Sequence, residues 1–99
     1  MNLDKKANQL KTKIQTCENN VKRYRFQIKN NQEVKNSLYD SISDLKVSSE
    51  ITGKAIIEIE DINASNKALE GKIKHQDNRL INLWEESHKL SIAKINTHG

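Results

Sequence analysis

The sequence predicts an all-α protein in which two long helices fold back on each other as an antiparallel coiled-coil hairpin, and three observations predict it. Apolar residues recur at alternating spacings of four and three along most of the 99 residues, proline is absent, and the phase of the pattern breaks once, near the middle. Low apolar content sets the frame. At 34% hydrophobic, 4% aromatic and 30% charged residues the chain cannot build a large globular core, and a mean hydropathy of −0.84 taken alone would suit disorder. The periodic spacing decides for helix, because disorder has no use for a period.

The first helix is expected from about residue 3 to 46. Its seam runs Leu3, Ala7, Leu10, Ile14, Cys17, Val21, Tyr24 and Ile28, crosses a polar gap at Asn31 and Lys35, and resumes at Leu38, Ile42 and Leu45. A seam of this length exceeds the three or four heptads that a coiled coil needs. The second helix is expected over about 52 to 96, with Ala55, Ile59, Ile62, Asn66, Leu69, Ile73, Gln76, Leu80, Leu83, Ser87, Leu90 and Lys94 in its seam, out of phase with the first. Between them, a loop is expected at about 47 to 51. The stretch Val47 to Gly53 gathers two serines, three β-branched residues and a glycine, the poorest helix formers in the chain, and Ser48 or Ser49 is placed to cap the second helix. The whole, residues 1–99, reads as a single coiled-coil domain. One continuous long helix in a parallel oligomer is the alternative, with the phase slip as a stammer.

An antiparallel pair makes a stricter statement, because facing seam residues must carry numbers that add to a constant. A sum of 97 sets Leu38 against Ile59, Ile28 against Leu69, Cys17 against Leu80 and Ile14 against Leu83, and it brings Asn31 opposite Asn66 so that one amide finds another. Lys35 opposite Ile62 and Gln76 opposite Val21 fit less well. The polar seam residues Asn31, Asn66 and Gln76 are the expected setters of register, at a cost in stability.

A second stripe, Ile81, Trp84, His88, Ile92 and Ile95, runs beside the Leu80, Leu83, Leu90 seam. A helix with two apolar stripes has neighbours on two sides, and tryptophan is a common interface anchor, so these five residues form the expected partner-binding face. Whether the occupant is a second copy or a foreign protein stays open. Charge is uneven. Residues 1–35 carry nine Lys or Arg against three acids, residues 36–61 carry two against six, and residues 62–99 carry six against four, within a net charge of +4. In a hairpin this would make the closed end acidic and the open end basic. The stretch Val21 to Lys29 mixes bases with aromatics, so Lys22, Arg23, Arg25 and Lys29 form a candidate basic patch for nucleic acid or another anionic surface.

Chemistry finds little footing. His75, His88 and His98 never fall at the i, i+4 spacing of a helical metal pair, Glu85 and Glu86 point in different directions on a helix, and no glycine-rich phosphate loop or nucleophile turn is present. No catalytic, cofactor-binding or metal site is expected, and the chain reads as no enzyme. The lone Cys17 in a seam position excludes an internal disulfide and reads as a small core residue. No apolar run approaches the roughly 20 residues of a membrane span, and no apolar stretch comes after the MNLDKK start, so a cytoplasmic protein without a transmembrane segment is expected.

Gln76, succeeded by DNRL and flanked by four-three layers, is similar in arrangement to the central glutamine layer of a SNARE motif, over roughly residues 52 to 94. Asn66, Ser87 and Lys94 interrupt layers that are mostly apolar in that family. The resemblance is one of layer pattern and implies at most a SNARE-like helix. The expected function is that of a non-enzymatic coiled-coil interaction protein, a scaffold, adaptor or small chaperone-like subunit of a larger helical assembly, binding protein partners or itself through helix packing. A basic helical protein that binds nucleic acid or an anionic surface is one alternative, and a SNARE-like helix or secretion-machine stalk or chaperone is another.

Overall fold

A computed structural model describes residues 3–43 and 48–98. They form two helices that pack against each other as a hairpin, α1 over Leu3–Ser43 and α2 over Ser49–His98, with no strand among the described residues. The chain therefore reverses, and the alternative of one uninterrupted helix is not the state it adopts.

The boundaries correct the sequence expectation. Helix α2 begins at Ser49, three residues earlier than expected, so residues 49–51 are helical and not loop. Ser48 supplies the reason. Its Oγ accepts from the Ile51 N–H at 3.3 Å and its carbonyl accepts from the Thr52 N–H at 3.0 Å, so one serine satisfies a donor of the first turn with its side chain and starts the backbone ladder with its carbonyl. The weak helix formers behind it are tolerated once the end is capped. Glu50 adds an acid to the first turn, where the helix dipole favours it. The far end of α2 also runs two residues past the expected 96. The expected end of α1 at 46 and the first residue of the expected loop lie outside the described residues.

Polar residues on the outer faces bond along their own helix. The hydroxyls of Thr12, Thr16, Ser41, Ser43, Thr52 and Ser91 each donate to the carbonyl four residues back, and amide pairs link Gln15 to Asn19 and Gln32 to Asn36. Each such group is satisfied without help from the other helix.

The chain divides into two compact units, Met1–Lys22 with Ile73–Gly99, and Arg23–Lys72. In the first, Leu10, Cys17, Val21, Leu80 and Leu83 make the buried core, with Ile14, Ile73 and Leu90 half-buried against it. These are the seam positions of the four-three count, and the Cys17/Leu80 and Ile14/Leu83 pairs of the 97 register fall within this cluster. Lys94, at the end of the seam, keeps its stem in and sends its ammonium to Asp4 at 2.7 Å. In the second unit, Ala55, Ile59 and Leu69 are buried, with Ile28, Leu38, Ile42 and Ile62 half-buried. Here the pairing with numbers adding to 97 appears as an amide contact, in which Asn31 Nδ2 donates to Asn66 Oδ1 at 2.9 Å in a partly buried setting. Lys35, which the count sets against Ile62, leans one residue further and donates from Nζ to Asn63 Oδ1 at 2.8 Å.

Candidate functional site

Every seam residue of α2 from Ile73 to Lys94 is at least half-buried, which fixes the rotation of the helix and leaves the second stripe facing outward. Ile81 and Trp84 are each 50% exposed, Ile92 is 45% and Ile95 is 70%, with His88 exposed among them. Two turns of α2 shape this face into a shallow recess. Ile81, Trp84 and His88 form its floor, and Glu85 and Lys89 border it with opposite charges. The five residues lie within the 15 positions from Ile81 to Ile95, close to four helical turns, so they form a nearly axial strip about 20 Å long. All lie in the same compact unit, on the outward face of the helix whose inward face packs the Leu80 and Leu83 core.

The basic candidates are divided between the units. Lys22 is exposed in the first, and Arg23, Arg25 and Lys29 are exposed in the second. In the second unit the half-buried Tyr24 ring has Arg23 at 5.3 Å and Lys72 at 5.7 Å from its centroid, so its own cations occupy the aromatic surface that a base would stack on. Phe26 remains out at 61%. Of the register residues, Asn31 and Asn66 meet as expected. Gln76 is half-buried and lines a recess with Thr16, Cys17, Asn20 and Arg79 in the first unit.

The sequence count missed one group. Ile51, Ile56 and Ile57 are exposed near the start of α2, and Val34 and Tyr39 are exposed on α1. None falls on a four-three seam or on a second line of its own, so spacing carries no signal for them. No group of three or more His, Cys, Asp or Glu able to hold a metal ion occurs among the described residues, and no helix among them is long and apolar enough to cross a membrane.

Fold and exposed face together define a coiled-coil hairpin with one buried seam and one open apolar stripe. No family model, no curated protein and no solved structure matches the chain.

Proposed function

We propose that this chain is a non-enzymatic interaction protein, a scaffold, adaptor or small chaperone-like subunit that joins a larger helical assembly by burying the stripe of Ile81, Trp84, His88, Ile92 and Ile95. The observation that carries this reading is a large aromatic and three isoleucines held in one line on the face opposed to the core, each close to half exposed or more. Stranded apolar surface of this extent in a highly charged chain has a physical use only when something covers it. Its mode of action is helix-in-groove docking or bundle completion, in which Trp84 is the anchor. The reducing cytosol is the compartment that suits a free, buried Cys17.

Binding of nucleic acid through Lys22, Arg23, Arg25 and Lys29 is less well supported, since Tyr24 is engaged internally.

A photo-reactive side chain at Ile92 tests the reading in cells that produce the protein. Adducts are expected from position 92 and not from Asn82, which is exposed elsewhere on α2. Trp84→Ala is expected to reduce them more than ten-fold, as loss of an anchor worth over 2 kcal/mol would. Equal adducts from both positions would contradict a dedicated face.

A further inference from the structure

The stripe has an order of its own. Its members are separated by three, four, four and three residues, so the spacing is the same read from either end, and His88 is at the middle. A face that grips an unrelated helix gains nothing from this symmetry. An antiparallel self-pairing uses it, because apolar positions placed evenly about a two-fold axis then meet apolar positions of the second copy.

We propose that the occupant of the stripe is a second copy of this chain, lying antiparallel about a two-fold axis that passes by His88. Ile81 then meets Ile95 of the second copy, Trp84 meets Ile92, and His88 meets its own counterpart. The large indole is matched with a smaller side chain and the polar residue falls on the axis.

Charge agrees with the direction. Glu85 and Lys89 border the recess on one flank of the stripe. An antiparallel two-fold brings each flank against the same flank of the other copy, so the two Lys89 ammoniums come together beside the axis and Glu85 of each copy lies next to Lys89 of the other, one carboxylate on the outer side of each ammonium. A parallel pair brings that flank against the opposite one and forms neither contact. Exposed pairs of this kind add little affinity but select orientation. Register is bounded as well. A slip of one helical turn sets Ile95 of one copy against Asp77 of the other, an apolar end against a charge.

Area sets the strength. Four large side chains about half exposed offer on the order of 400 Å² per copy, or roughly 800 Å² for the pair, below the ~1,200 Å² at which stable interfaces begin. The dimer is therefore weak and its population depends on concentration.

This inference rests on the reading of the stripe as a docking face, and the test separates the two. The full chain carries Cys17→Ala, which removes its single thiol, and Ile81→Cys and Ile95→Cys are made in differently tagged batches, mixed and oxidised. Disulfides between 81 and 95 are expected to exceed the 81–81 and 95–95 products more than ten-fold, and His88→Cys is expected to cross-link to itself. In sedimentation of the thiol-free chain, Ile92→Glu should raise the dissociation constant at least ten-fold, and His88→Leu should lower it. A predominance of 81–81 and 95–95 products would overturn the antiparallel pairing. A monomer at every concentration, with no cross-link, would overturn self-pairing altogether. If adducts to another protein then persist at position 92, the docking face stands without this occupant, and if they are missing too, both readings fail.

Discussion

Asn31 and Asn66 share one hydrogen bond of 2.9 Å in a partly buried seam, a contact that belongs to the register in which their numbers add to 97. A leucine can slide by a turn and still find a leucine; an amide that slides loses its partner and is left half-desolvated. Asn31→Leu is thus expected to destabilise the fold by about 1–2 kcal/mol in urea unfolding, because Asn66 is then unpaired. Asn31→Leu with Asn66→Leu should recover that loss or exceed it. A double variant no more stable than the single one would contradict the pairing. This contact was legible in the sequence, since one constant sum that aligned the apolar layers also aligned the two asparagines. The lysine outlets were not. Lys35 reaches Asn63 and Lys94 reaches Asp4, in each case a residue off the count, because a four-carbon stem lets the ammonium leave the seam its Cβ occupies.

At the scale of the element, α1 and α2 were legible in type from the four-three spacing and the missing proline, and less so in their ends. The weak helix formers around Ser48 marked where the chain turns, but residue propensity did not report how soon one serine, bonding with both its side chain and its carbonyl, would restart the helix. Inside α2, Gly71 is exposed and helical, and a Cβ added there meets nothing within 4 Å. It has no positive φ to defend. Gly71→Ala is accordingly expected to stabilise the protein by about 0.5–1 kcal/mol, through the backbone entropy that glycine loses on folding. A rise in the midpoint of thermal unfolding without loss of the position 92 adducts would agree. A fall would mean that the glycine serves a contact the free chain lacks.

For the whole molecule, the two stripes of α2 carry different kinds of information. The inward seam was legible because burial obeys a strict period, and every seam residue of α2 from Ala55 to Lys94 is at least half-buried. The outward stripe was legible as a pattern, with Ile81, Trp84, His88, Ile92 and Ile95 on one face, but its exposure needed the rotation that the core imposes. Ile51, Ile56 and Ile57 were not legible, since adjacent isoleucines near a helix start fit no single face. All of this depends on α1 and α2 lying antiparallel with facing numbers that add to 97. The most direct test is a pulsed dipolar distance between spin labels at Asn8 and Lys89, both exposed and both in the first unit, in Cys17→Ala chain diluted with excess unlabelled protein so that only distances within one chain are read. The predicted separation is about 20 Å or less, the 8–10 Å between packed helix axes plus the reach of two labels. Loss of any such short distance, with a separation tending toward the roughly 120 Å of a continuous helix at 1.5 Å per residue, would contradict the fold and everything built on it.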